Sequence, residues 1–198
     1  MQNSAVYVCA VYPGVMIKPL LAHNANLDIR GNTRKLPLHL AAANHNVPIE
    51  LVEMLISGTN INKQDYFGRT PLYEAVASRR WELVPVLITN GADINIYINM
   101  NIKDYYQNTP LHCMISENKR DSIMLAVQHG ADITMKDKNE VSPFCQVFQN
   151  KQWDLLPALL PQGTSVWIVY SEKIGRASCR DSVELWVVGG ALAGGGGG

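Results

Sequence analysis

Apolar positions within residues 65–95, DYFGRTPLYEAVASRRWELVPVLITNGADIN, fall into two short sets. Leu72, Ala75 and Val76 make the first, Leu83, Val84, Val86, Leu87 and Ile88 make the second, and a polar break at residues 78–80 divides them. The spacing predicts helix, turn, helix. Thr70 offers a capping oxygen, and Pro71 takes the first helical position, where no N–H is needed. Gly91 follows the second set, where a left-handed residue closes a helix without a Cβ penalty.

The unit recurs. Twenty residues separate Pro71 from Gly91, Pro110 from Gly130 and Pro143 from Gly163, so these segments share one register. Pro37 opens another copy, and the successive prolines lie 34, 39 and 33 residues apart. This period, with TPL at the start and GADIN at the end, resembles the ankyrin repeat, whose pattern D-x-x-G-x-T-P-L-H-x-A-A closes on G-A-D-x-N. Asp65, Gly68, Thr70, Pro71, Leu72, Gly91, Ala92, Asp93 and Asn95 match it. Later copies keep Asp104, residues 109–112 and 130–132, Asp137, Ser142 and Pro143.

The resemblance covers roughly residues 15–166 and implies an all-α ankyrin-repeat solenoid of about four helix-turn-helix repeats with short hairpin fingers. The expected organisation is an unassigned lead over 1–14, a partial repeat over 15–30 and a full repeat over 31–64. A repeat with a finger insertion follows over 65–103, then a repeat over 104–136, a degenerate one over 137–170 and a tail over 171–198. On this division the chain begins in mid-repeat, with Asn24 in place of the closing glycine.

Five departures from the pattern carry expectations. Arg34 and Leu36 replace the usual glycine and threonine of the first full repeat, which predicts a looser turn without a cap. Residues 45–48 lengthen the turn between its helices, and six extra residues lie between the equivalent Asn95 and Asn101. Pro85 and Pro157 fall early in two outer helices and predict a short first turn or a bend. Ser122, where the second repeat has Leu83, weakens one outer-helix face.

Charge argues against nucleic acid as a partner, since Lys+Arg and Asp+Glu are equal at 17 each. No run approaches a membrane span, and residues 5–12 lack the basic flank of a secretory signal, so the protein is read as intracellular, cytoplasmic or nuclear. KIGRASCR near the C-terminus resembles a translated sequencing-library adapter, and the terminal glycines resemble a homopolymer tail. The natural chain is therefore expected to continue differently from about residue 173; a genuine flexible tail is the alternative.

Catalytic chemistry finds little support. The four cysteines form no CxxC pair, and Cys113 and Cys145 suit buried inner-helix thiols. There is no G-x-S-x-G elbow, no phosphate-binding loop and no HExxH pair, and Ser142 suits a helix cap. His39 and His112 fall on the family's motif histidine, which implies a bond from the turn to the neighbouring loop; His23 and His129 precede helix stops, and His45 has no assignment. A metal-dependent hydrolase built on His112 and His129 is a weak alternative. No catalytic residue, cofactor, metal or small-molecule substrate is expected.

The resemblance places the variable finger positions and the late inner-helix positions on one concave face. Here these are Tyr66, Phe67 and Arg69, then Tyr105, Tyr106 and Asn108, with Ala77, Ser78, Ser116 and Glu117 on the helix side. Tyr and Arg carry a disproportionate share of interface energy. The expectation is a non-catalytic module binding a protein partner there, with Tyr66, Phe67, Tyr105 and Tyr106 as anchors. The alternatives are rings that only stiffen the array, and a targeting segment of a larger enzyme, channel or ubiquitin-ligase adaptor.

Overall fold

The computed structural model describes residues 26–31, 33–96 and 108–159. These residues form eight α-helices and no strand: α1 Pro37–Ala43, α2 Ile49–Ile56, α3 Pro71–Ala77, α4 Val84–Thr89, α5 Pro110–Ser116, α6 Arg120–Gln128, α7 Pro143–Gln149 and α8 Leu156–Leu159. A 3-10 turn over Trp153–Leu155 leads into α8. The inner helices stack as α1 on α3, α3 on α5 and α5 on α7, while α4 packs on α6 and α6 on α8.

Each inner helix begins on its proline, and how its first turn is capped depends on the residue two positions further on. In α3 and α7 the hydroxyl does the work: Thr70 Oγ1 accepts from Tyr73 N–H and Ser142 Oγ from Cys145 N–H, each at 3.2 Å. In α1 and α5 that residue is histidine. His39 Nδ1 accepts the N–H of Leu36, and His112 Nδ1 that of Thr109, both at 3.2 Å. The ring nitrogen thus satisfies the cap residue's own N–H, whereas the hydroxyls of Thr70 and Ser142 satisfy the N–H three residues on.

Among the described residues five other than glycine hold positive φ, and their places repeat. Arg34 (φ 55) and Glu140 (φ 62) occupy the position of Gly68 (φ 76) in the finger turn. Arg79 (φ 60), Asn118 (φ 53) and Lys151 (φ 56) occupy one position between inner and outer helix. Gly91 (φ 87) and Gly130 (φ 84) close α4 and α6 as predicted. The finger turn before α1 keeps the two backbone bonds of the next one, Lys35 O accepting from Gly31 N–H at 3.1 Å and Gly31 O from Arg34 N–H at 2.9 Å, but Gly31 lacks the carboxylate with which Asp65 adds two more.

The core follows the predicted apolar sets. Leu72, Ala75, Leu83, Val84 and Leu87 are fully buried, as are Leu38, Met114, Ile115 and Ile123, whereas Val86 is only partly covered. Ser122 is itself buried, 9% exposed. Pro85 lies in the first turn of α4, and the 3-10 turn before Pro157 removes the need for its N–H, as expected of prolines at helix starts. Arg80 departs most from expectation. Assigned to the polar break, it is 1% exposed.

Candidate functional site

The finger over residues 65–69 is fixed by its own backbone. Asp65 Oδ1 accepts from Phe67 N–H at 2.8 Å and Arg69 N–H at 2.9 Å, and Asp65 N–H donates to Arg69 O at 3.0 Å. Asp137 repeats this with Asn139 and Val141. Tyr66 N–H donates to Thr33 O at 2.8 Å, which sets the finger against the one before it. Tyr66 is 50% exposed and meets Phe67 edge-on, ring centroids 5.6 Å apart.

Arg69 lies against two rings, 5.2 Å from the Phe67 centroid and 5.8 Å from that of Tyr73. Below it is Glu74, 6% exposed, with Lys35 Nζ 2.9 Å and Arg69 Nη1 3.7 Å from its Oε1. These are contacts of charge rather than well-directed hydrogen bonds. Sequence reasoning missed Lys35, Tyr73 and Glu74; the usable signal was that Tyr73 and Glu74, two and three residues after Pro71, stand where α1 has His39 and Leu40.

On the helix side, Ala77 and Ser116 are exposed, while Ser78, Asn108 and Glu117 are half-buried. Several of these also hold repeats together. Ser78 O receives His45 Nε2 at 2.7 Å, Glu117 Oε1 accepts from Arg79 Nη2 at 2.9 Å, and Ser116 Oγ accepts from Gln146 Nε2 at 2.7 Å. His45 thereby gains a role that the sequence did not suggest. Tyr105, Tyr106, Asn24, Gly163 and the 171–198 tail lie outside the described residues.

Both motif histidines tie one repeat to the next. His39 Nε2 faces Arg69 O at 3.0 Å and His112 Nε2 faces Val141 O at 3.1 Å. Carbonyls only accept, so each ring carries its proton on Nε2 and is neutral. Burial holds both below the usual histidine range. His129 Nδ1 bonds Leu125 O at 2.9 Å in its own helix turn. With both nitrogens of His112 committed to the fold, the two imidazoles make no catalytic pair.

Ties run backward as well. The Arg80 guanidinium donates to Ala41 O at 2.6 Å, Asn44 O at 2.8 Å and Val47 O, all in the preceding hairpin. Gln152, its counterpart after α7, donates to Ile115 O at 2.9 Å. Lys119, the counterpart after α5, instead lies over the Trp81 ring at 5.2 Å. An asparagine ladder joins the helix ends: Asn62 Nδ2 donates to Gly91 O at 3.1 Å and its Oδ1 accepts from Asp93 N–H at 2.8 Å. Asn95 does the same for Gly130 O at 2.9 Å and Asp132 N–H at 2.8 Å.

Cys113 and Cys145 are not disulfide-bonded. Burial pushes the Cys113 thiol up to about 11 and the Tyr73 phenol, its hydrogen-bond partner, up to about 12. Cys113 is therefore a protonated, poor nucleophile at neutral pH. Among the described residues no cluster of His, Cys, Asp or Glu could hold a metal ion, and no helix is long and apolar enough to cross a membrane.

Comparison with known proteins agrees with this architecture. A stretch of 90 residues, 42% of the chain, is 37% identical to human inversin and spans 8% of that protein. A shorter stretch of 51 residues, 25% of the chain, is 47% identical to human transient receptor potential cation channel subfamily A member 1, of which it spans 5%. An L-asparaginase of Dirofilaria immitis is 34% identical over 46% of the chain and 15% of its own length. The chain thus spans a small part of each relative. The family described as ankyrin repeats in three copies matches residues 6–98 and again 48–137. With that coverage, and with repeating hairpins, capped inner helices and an asparagine ladder, the chain belongs to the ankyrin-repeat family.

Proposed function

We propose that this chain is a non-catalytic interaction module that holds a protein partner on its finger and inner-helix side, with no cofactor. The observation that carries the reading is Tyr66, half exposed on a finger whose backbone is fixed by Asp65 and by the neighbouring Thr33 carbonyl. A large ring on a rigid support loses little freedom when covered, which is what an interface anchor requires. Phe67 and Arg69 flank it, and Ala77, Ser78, Asn108, Ser116 and Glu117 form the helix side. Tyr105 and Tyr106 are the matching anchors of the next finger.

A photo-reactive residue placed at position 66 tests this. Cross-linking should capture one protein reproducibly from the source cells, while the same group at Glu53 on α2 should not. Equal capture at both positions, or none at 66, removes the reading. Replacing Tyr105 and Tyr106 by Ala should leave helicity intact and weaken the captured complex.

The second reading is a targeting segment of a larger enzyme, channel or ubiquitin-ligase adaptor. It is favoured by the share of each relative that is covered, 8% of inversin and 5% of a cation channel. Sequencing the message through its 3′ end decides it, since a further domain would appear in frame.

A further inference from the structure

On the first two fingers, charge is separated by depth. Residues 31–35 and 65–69 are neighbours, and they present Arg34, Lys35 and Arg69 at their turn ends. The two carboxylates there, Asp65 and Glu74, are each only 6% exposed. Asp65 Oδ1 is occupied by two backbone N–H groups, and Glu74 lies under Lys35 and Arg69. Arg34 is exposed, and the side chains of Lys35 and Arg69 are 19% and 32% exposed. An approaching molecule therefore meets cations and the Tyr66 ring, with the anions beneath.

Elsewhere the pattern differs. In the finger before α7, Lys136 Nζ pairs with Glu140 Oε2 at 3.2 Å. The outer helices expose Glu50, Glu53 and Asp121. A chain with 17 cationic and 17 anionic side chains has thus placed a local positive excess along one edge. Arg69 is also pre-set: it lies against Phe67 and Tyr73, and Glu74 at 3.7 Å is beyond hydrogen-bond length. Its Nε is enclosed and has no hydrogen-bond partner, so a carboxylate would meet the terminal N–H groups of a guanidinium already positioned by the rings.

We propose that the edge made by Arg34, Lys35, Tyr66 and Arg69 binds an acidic, extended segment of a partner protein, its carboxylates on the three cations and an apolar side chain on Tyr66. This rests on the interaction reading above and supplies the partner's chemistry. The test is fluorescence anisotropy of the full chain with a labelled peptide of alternating Glu and Gly around one Leu. The acidic peptide should bind about tenfold tighter than its Ser-for-Glu version, and the preference should shrink as salt rises through the range where the screening length falls below about 10 Å.

Arg34→Gly and Arg69→Gln should each weaken binding about threefold or more, while Lys136→Gln leaves it unchanged. Arg34→Gly also relieves a left-handed arginine, so its melting temperature should hold or rise, which separates lost binding from lost folding. Equal affinity for the Ser peptide overturns the proposal, as does wild-type affinity in both arginine variants. So does a thymidine oligonucleotide bound as tightly as the acidic peptide. Cross-linking from position 66 reports separately, so a partner still captured there while the acidic preference is absent removes the charge assignment alone.

Discussion

Arg80 Nη1 lies 2.6 Å from the carbonyl oxygen of Ala41, a residue of the previous inner helix 39 positions earlier in the chain. The same guanidinium reaches Asn44 and Val47, so one buried side chain holds the end of α1 and the turn that follows it. That turn is the one lengthened over residues 45–48, and the arginine supplies donors that its carbonyls would otherwise lack. Arg80→Ala should cost about 3 kcal/mol or more, because it leaves buried carbonyls unpaired. Urea denaturation followed by circular dichroism measures this; a loss below about 1 kcal/mol would show that water replaces the guanidinium.

The motif histidines predict acid sensitivity. Burial lowers both pKa values from 6.5, so near and below that value the unfolded chain takes up protons that the folded chain refuses. Their contribution is complete above pH 6.5 and is lost as pH falls from there through the folded values. The urea midpoint should drop between pH 7.5 and pH 5.5, by less in the His39→Gln, His112→Gln double variant. An equal drop in both proteins assigns the sensitivity to other groups.

Left-handed residues other than glycine mark places where stability can be raised. Lys151 and Glu140 are exposed at φ 56 and φ 62. Replacement by Gly should gain up to about 1 kcal/mol each, the Cβ penalty less the entropy of glycine in the unfolded chain. Gly91→Ala should lose a similar amount, since its φ is 87 and no neighbour lies within 4 Å to clash with the new methyl. Thermal melts of the three variants test the sign, and a less stable Lys151→Gly would refute the account.

Asn95 makes two bonds to the following repeat, and Asn95→Ala removes both. About 1–2 kcal/mol should be lost. Hydrogen exchange should speed at the Asp132 amide, which Asn95 Oδ1 accepts, and not at Asp93, which belongs to Asn62. Uniform acceleration across the chain would instead mean global destabilisation.

Much of the architecture was legible because ankyrin repeats are specified locally. Pro71, Thr70 and Gly91 act within one hairpin, and proline-to-glycine spacing reveals their register without any knowledge of packing. What stayed hidden depends on partners a whole repeat away. Nothing around Arg80 in the sequence announces that three carbonyls wait for it 33 to 39 residues upstream, so it read only as part of a polar break. His45 escaped for the same reason, as its acceptor is Ser78. On the binding side, Tyr66 was visible as a ring on a finger, but the burial of Glu74 under Lys35 and Arg69 needed the stack itself.

The ties described for His39, Arg80, His112 and Gln152 have a mechanical consequence. His39 reaches forward and Arg80 backward across the same junction, between the α1–α2 and α3–α4 hairpins. His112 and Gln152 do so between the last two hairpins. Across the middle, among the described residues, are the Asn95 bonds, the Tyr73–Cys113 hydrogen bond, the exposed Arg79–Glu117 pair and Lys119 on Trp81. Each of the two flanking junctions is thus clasped from both sides, so parting its hairpins breaks a forward and a backward bond together.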